Sequence, residues 1–375
     1  MKFKVKTSDF LKEIKTCRAV MGSNAISPIL TNILVEAKET GEILLVSTDL
    51  EIFYQGKINA DVEEIGIIAI PCNNLLDIIS TFSAIEILQI EVNEGTFYIK
   101  TDKAEYKLFA NSAEDYPSLP DKKEDTKSIN FSSDFLQKII SKTSYAISTD
   151  ESKPELNGIL LNSDGKLLTV AATDGRRLGV VEIEFDKFEI FEDVIVPAKV
   201  LKEVAKLNSE DVRINISDKD ITFQSENTKF ISRLIEGKYP AYKNVIPDNK
   251  MVRIEIDKNE LLRNLKGVMP IAKEISFTVK FIFEKEELTI SALSSKVGRG
   301  VRKMNIKNEI SPFSISYNSK YLVDCLNTIN GDIVVFEPVS IVKATKILPL
   351  EQDEKLTHTN IIMPVRTAWK NEGGN

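Results

Sequence analysis

Apolar residues recur along this chain with two periods. At the N-terminus Phe3 and Val5 alternate with Lys2, Lys4 and Lys6, the period of a half-buried strand. Phe10, Ile14 and Cys17 then recur at helical spacing, with Lys12 and Lys15 on the other side. This strand-then-helix phrase returns. "SDFLKEIK" begins at Ser8 and "SDFLQKII" at Ser133, 125 positions later. "NILVEAKETGEILLVSTDL" from Asn32 and "NGILLNSDGKLLTVAATDG" from Asn157 keep the same offset. "IPCNNLLDII" from Ile70 answers to "VPAKVLKEVA" from Val196, and "EDYPSLP" to "GKYPAYKNVIP". A fainter third copy holds "VRIEIDKNELLRNL" from Val252, with Leu261 in the place of Phe10 and Phe135, and "SISYNSKYLVDCLNTI" from Ser314.

Ordered matches at a fixed offset indicate an internally repeated chain. Each copy reads as a strand, a helix, several strands, a second helix and more strands. Short turns between the strands favour antiparallel sheets. The expected class is α+β, with domains at 1–122, 128–247 and 250–366 and a C-terminal tail at 367–375 holding the single tryptophan, Trp369.

Composition narrows the function. Hydrophobic residues make up 42% and charged residues 28%, as in a soluble globular protein. No apolar run reaches the length of a membrane span, and the alternating N-terminus reads as a strand rather than a signal peptide. Cys17, Cys72 and Cys325 are far apart and odd in number, which fits reduced thiols in a cytoplasmic protein. The only histidine is His358, and no cysteine spacing suits zinc. "VGRG" at 297–300 is too short for a phosphate loop. Asp49 and Asp174 occupy equivalent places in two copies, so they are expected to shape turns rather than share a metal. No catalytic residue, metal or cofactor is expected.

Two features remain. Basic residues recur on helix faces opposite the apolar ones: Lys12 and Lys15; Lys138 and Lys142; Lys199, Lys202 and Lys206; Arg263 and Lys266. In a chain of net charge −7 this recurrence points to one polyanion-binding surface, with lysines suited to phosphates rather than bases. The second feature is "TVAATDGRRLGVV" from Thr169 to Val181, a hairpin whose Asp-Gly turn carries Arg176 and Arg177 beside Leu178. From the pattern alone the arginines either solvate the turn or, with Thr173, Gly175 and Leu178, frame an apolar pocket.

From Met1 to Arg366 the chain resembles the bacterial DNA polymerase III beta subunits, the sliding clamps. "SPILTNILVE", "ATDGRRL", "GKYPAYKNVIP" and "IIMPVR" carry the likeness together. The resemblance implies three clamp domains per chain, each with two helices packed on antiparallel sheets, and a head-to-tail homodimer closed as a ring around duplex DNA. It implies a cytoplasmic, nucleoid-associated processivity factor without catalysis. Partners would be double-stranded DNA without sequence preference, a second copy, the replicative polymerase, the clamp loader and repair proteins bound through short peptides, and no membrane. It supplies the rest of the pocket as Leu156, Pro240, Val245, Ile361, Ile362, Met363, Pro364, Val365 and Arg366. It places Tyr106 and Leu108 against Ile271 and Ala272 of a second copy. The chain departs from some members at Asn24 and Asn244 and in the acidic loop of Asp150 and Glu151. Other classes remain open: a repeat-built protein adaptor that does not encircle DNA, and a metal-dependent nuclease using Asp49 or Asp174.

Overall fold

The computed structural model describes residues 1–22, 27–120 and 126–366. Asn24, the boundary at Lys122 and the tail with Trp369 lie outside the described residues.

The first copy opens with β1 (Lys2–Lys6) and α1 (Thr7–Val20). Its middle strands are β2 (Asn32–Ala37), β3 (Glu42–Thr48), β4 (Ile52–Asn59), β5 (Asp61–Glu64) and β6 (Gly66–Pro71). It closes with α2 (Cys72–Ile79), β7 (Ile87–Asn93), β8 (Thr96–Lys100) and β9 (Glu105–Phe109). The second repeats this as β10 (Lys127–Phe131), α3 (Ser133–Thr143), β11 (Gly158–Asp164), β12 (Leu167–Thr173), β13 (Arg177–Glu184) and β14 (Ile190–Pro197). Then come α4 (Ala198–Val204), β15 (Val212–Ile216), β16 (Asp220–Gln224) and β17 (Thr228–Arg233). The third copy has β18 (Ile254–Asp257), α5 (Lys258–Ala272), and two long strands, β19 (Thr278–Ser294) and β20 (Gly298–Asn318). It ends with α6 (Ser319–Leu326), β21 (Ile333–Pro338), β22 (Thr345–Pro349) and β23 (Leu356–Ile362).

Helices form where the apolar spacing is helical, and two of them start on a side-chain cap. Asp257 accepts the Glu260 N–H at 2.7 Å to open α5, and Asn318 accepts from Lys320 and Tyr321 to open α6. In α1 the buried stripe is Phe10, Ile14 and Cys17, as the spacing requires. Glu13 is buried on that helix as well, held by the Tyr54 hydroxyl. The third copy has its own core around Leu261, Leu265, Phe281, Tyr317 and Phe336. Each fully buried phenylalanine there contributes about 1.5–3 kcal/mol.

Contacts divide the chain into two compact units, Met1–Gln137 with Lys199–Leu234, and Lys138–Ala198 with Ile235–Asn375. The first holds an eight-stranded sheet, ordered β10-β15-β16-β17-β4-β3-β2-β6, and a five-stranded one, β5-β1-β7-β8-β9. The second holds an eight-stranded sheet, β14-β11-β12-β13-β23-β22-β21-β18, and the β19-β20 pair.

Copies are thus stitched by strand pairing. In the first unit β4 of copy one pairs antiparallel with β17 of copy two, Phe53 opposite Ile231 and Tyr54 opposite Phe230. In the second unit β13 of copy two pairs with β23 of copy three, Leu178 opposite Ile361 and Gly179 opposite Asn360. The two seams share a register: Ile52 and Arg177, which are 125 positions apart, face Ser232 and Ile362.

Candidate functional site

The hairpin expected at 169–181 is present. Thr173 pairs with Leu178 across the turn, and Gly175 takes a φ of 82°, which a side chain disfavours. Asp174 Oδ1 accepts the N–H groups of Arg176 and Arg177 at 2.9 and 3.0 Å, fixing the turn. Asp49 does the same in the first copy, accepting from Glu51 and Ile52. Both aspartates have the turn-forming role expected of them.

The two arginines differ. Arg177 is only 11% exposed, and its guanidinium donates to Asp174 at 3.0 Å and to Asp324 of α6 at 2.7 Å. It lies over the Tyr321 and Tyr145 rings at 4.5 and 5.5 Å. Its head is committed to tying the hairpin tip to α6, contrary to the expectation of a rim group free for ligands. Arg176 is exposed. Its carbonyl accepts the Met363 N–H at 2.9 Å, so the segment after β23 continues alongside the hairpin.

Leu156, Leu178 and Ile361 meet in one apolar cluster with Tyr239, Tyr242 and Ala344. Thr173 borders it, its N–H donating to the Tyr239 hydroxyl at 3.0 Å. Pro240, Val245, Met363 and Arg366 are exposed, while Pro364 and Val365 are half-buried. Val245 is 48% and Met363 39% exposed, so apolar surface faces solvent there. Ile362 departs from the expected pocket: it alternates to the other side of β23 and joins the third-copy core. Sequence reasoning missed Tyr239 and Tyr242, although "GKYPAY" displays both, and Ala344, which no motif marks.

The basic residues also separate. Lys12, Lys15, Lys202, Arg263 and Lys266 are exposed. Lys206 is exposed but pairs with Glu203 at 2.7 Å, and half-buried Lys138 pairs with Asp353 at 3.3 Å. Two positions contradict a solvent-facing stripe. Lys199 places its ammonium 2.5 Å from both the Val20 carbonyl and Asp49 Oδ2. The end of α1 and the turn carboxylate together attract it inward. Lys142 is 5% exposed, its ammonium 3.4 Å from the Thr328 carbonyl and 3.5 Å from His358 Nδ1. His358 Nε2 lies 3.2 Å from the Lys142 carbonyl, an arrangement the neutral Nε2–H tautomer satisfies at both nitrogens. Burial, aided by the Lys142 charge, lowers the His358 pKa to about 3.

Free strand edges complete the picture. Among the described residues β9 pairs with no strand but β8, and the leading half of β20 with none but β19, while Ser316 near the end of β20 accepts the Val365 N–H at 2.8 Å. On β9 Tyr106 is 37% and Phe109 88% exposed, with Leu108 half-buried. Tyr106 also meets Phe82 edge-on. Ile271 is half-buried, whereas Ala272 is fully buried in the third-copy core and offers nothing to a partner, against expectation.

Among the described residues no cluster of His, Cys, Asp and Glu could hold a metal, and no helix is long and apolar enough to cross a membrane.

Comparison with known proteins gives a consistent result. Family models of the DNA polymerase III beta subunit match along the chain: the N-terminal domain at residues 1–120, the central domain at 130–241 and the C-terminal domain at 243–366. The beta sliding clamp of Staphylococcus epidermidis is 28% identical over 380 residues, covering 98% of this chain and 100% of that one. The beta sliding clamp of Chlamydia trachomatis is 29% identical over 338 residues, covering 89% and 80%. Among solved structures, the DNA polymerase sliding clamp of Bacillus subtilis is 26% identical, with a TM-score of 0.88 over 98% of this chain and 99% of that one. The sliding clamp of Bartonella birtlesii, solved bound to griselimycin, is 26% identical with a TM-score of 0.90 over 98% and 100%.

Proposed function

Because the chain belongs to the DNA polymerase III beta subunit family, we propose that it is a sliding clamp. It encircles duplex DNA as a homodimeric ring and tethers the replicative polymerase, the clamp loader and repair proteins. It is a processivity factor and not an enzyme, and it works in the cytoplasm on the nucleoid.

The repeated seam is the observation that carries ring closure. Within the chain, the last strand of each later copy pairs with the fourth strand of the copy before it: β17 with β4, β23 with β13. Two counterparts are left without such a neighbour, β9 of copy one and the leading half of β20 in copy three. They lie on different copies, so their pairing between two chains, used twice, closes a two-fold ring. Tyr106, Leu108 and Phe109 on one side and Ile271 on the other supply the apolar contacts.

DNA passes against the helix faces. Lys12, Lys15, Lys202, Lys206, Arg263 and Lys266 contact phosphates, weakly and interchangeably, because duplex DNA presents one charge about every 1.7 Å of axis. The adaptor reading lacks a use for these cations. The nuclease reading is disfavoured because Asp49 and Asp174 spend their oxygens on turn N–H groups, Lys199 and Arg177.

Short partner peptides dock where Leu178, Ile361, Val245 and Met363 offer adaptable apolar surface beside Arg176 and Arg366. Two buried apolar anchors yield about 1.5–3 kcal/mol each, association costs several kcal/mol, and hydrogen bonds to the peptide supply the rest of the about −8 kcal/mol of a micromolar affinity, which permits exchange of partners.

The decisive experiment loads the protein with a clamp loader on circular and on linearised DNA. Retention on the circle with loss from free ends supports the ring. Equal retention on both would refute topological binding and restore the adaptor.

A further inference from the structure

The two internal seams are a template for a seam between chains, because β9 and the leading half of β20 are their counterparts in the repeat. We infer the register of that third seam: β9 runs antiparallel to β20 of a second copy with Leu108 opposite Gly298, Lys107 opposite Arg299 and Tyr106 opposite Gly300, so that like charges meet where both internal seams are apolar. This inference rests on the ring reading above and adds the residue pairing that the ring reading leaves open.

The register follows from two anchors. On the β9 side, the equivalent strands are fixed by their inner neighbours. Buried Phe97 of β8 faces Leu108, buried Ile221 of β16 faces Ser232, and buried Thr345 of β22 faces Ile362. Leu108 therefore stands where Ser232 and Ile362 stand. On the β20 side, Thr173 pairs with Leu178 and Ala172 with Gly179, while Leu293 pairs with Arg299 and Ala292 with Gly300. The glycines confirm this match. A Cβ on Gly179 would meet the Tyr145 ring at 3.0 Å, and one on Gly300 would meet Ile271 Cδ1 at 2.9 Å. Tyr145, just after α3, and Ile271, in the last turn of α5, stand 126 positions apart, the offset that sets Leu261 on Phe135. Arg299 therefore stands where Leu178 stands, and Lys107 where Ile361 and Ile231 stand.

The consequences differ by position. Tyr106 falls on the bare backbone of Gly300 beside Ile271, an apolar fit. Phe109, 88% exposed, falls opposite Val297, 58% exposed, where Met363 already pairs with Arg176 in the internal seam. Between these contacts the internal seams bury Phe53 with Ile231 and Leu178 with Ile361. The third seam instead opposes two cations. Lys107 is exposed and engages Glu105 of its own strand at 3.4 Å, and Arg299 is exposed. Like charges directly across a ladder are unfavourable. The charged latches are missing too: Ser294 stands where Asp174 is, Gly298 where Arg177 is, and Asn73 where Lys199 is. The seam between chains is thus the one made to part, while the two within each chain stay shut.

A charge-swap cycle tests this on the full-length protein, with dimer dissociation followed by sedimentation across a dilution series and folding checked by thermal melting. Lys107→Glu alone and Arg299→Glu alone should each tighten the dimer about two- to twentyfold, because each converts two repulsive pairs per ring into attractive ones. Combining them restores like charges and should return the affinity close to wild type. Singles that do not tighten, or a double that is tighter than either, overturn the register. A second measurement uses Lys107→Cys with Arg299→Cys, which should oxidise to a covalently closed dimer. Lys107→Cys with Lys303→Cys, one turn of the ladder further, should not. Efficient cross-linking of the second pair also overturns it. A wild-type chain that stays monomeric at micromolar concentration would instead sink the ring reading itself.

Discussion

Arg176 and Arg177 stand side by side in sequence and have opposite duties. Replacing Arg177 by Leu leaves Asp174 and Asp324 without their shared cation, so unfolding by denaturant should show a loss of about 2–4 kcal/mol. Arg176→Ala should leave stability within about 0.5 kcal/mol of wild type. It should nonetheless weaken binding of a short partner peptide with two apolar anchors, measured by titration. If both variants melt alike and bind alike, the division of labour is wrong. His358 gives a second residue-level expectation. Its folded pKa of about 3 lies below the ordinary 6.5, so the unfolded chain takes up a proton that the folded chain refuses. Stability should therefore be unaffected by His358 above about pH 6.5 and fall as pH drops from there toward 3, by roughly 1.4 kcal/mol per unit. His358→Gln should flatten that slope in urea melts taken between pH 4 and 6.5; an unchanged slope would show that other groups set it.

At the scale of elements, the helix faces divide into cations that hold the protein and cations left for a ligand. Charge reversal at Lys202 and Arg263 should weaken DNA association and lower its salt slope by about one per contact removed. Lys199→Ala should leave that slope alone and instead loosen the pairing of β4 with β17, seen as faster amide exchange at Phe53 and Ile231. Loss of salt dependence on removing Lys199 would return it to the DNA face. The sequence made much of this readable. Period and offset revealed the three copies, the paired helices and the hairpin with its Asp-Gly turn, because each is a local pattern. Lys142 and Lys199 were not readable, since a lysine turns inward only when another element brings it a carbonyl or carboxylate. The same limit explains Ile362 and Ala272: alternation shows that two faces exist, and only the packed neighbours say which face is the core. Phe109 escaped notice because it ends a strand whose edge, not its pattern, makes it matter.

For the whole molecule, the expectation is a ring made from six copies of one motif, four of whose six seams are internal. Phe109→Asp should yield folded monomers by light scattering at micromolar concentration, with the melting of the internal seams unaltered. A variant that remains dimeric would remove β9 from the interface. The hairpin proposed to frame a peptide pocket also supplies the strand that pairs with β23, and its second arginine is the cation that binds α6. This overlap limits how the surface can change over generations. Leu178, Ile361 and Arg177 cannot drift without opening the joint beneath them. Under selection by a molecule that blocks the pocket, escape should therefore concentrate at Arg176, Pro240, Val245 and Met363. Those exposed positions are also the ones proposed to touch partners, so escape there should carry a replication defect.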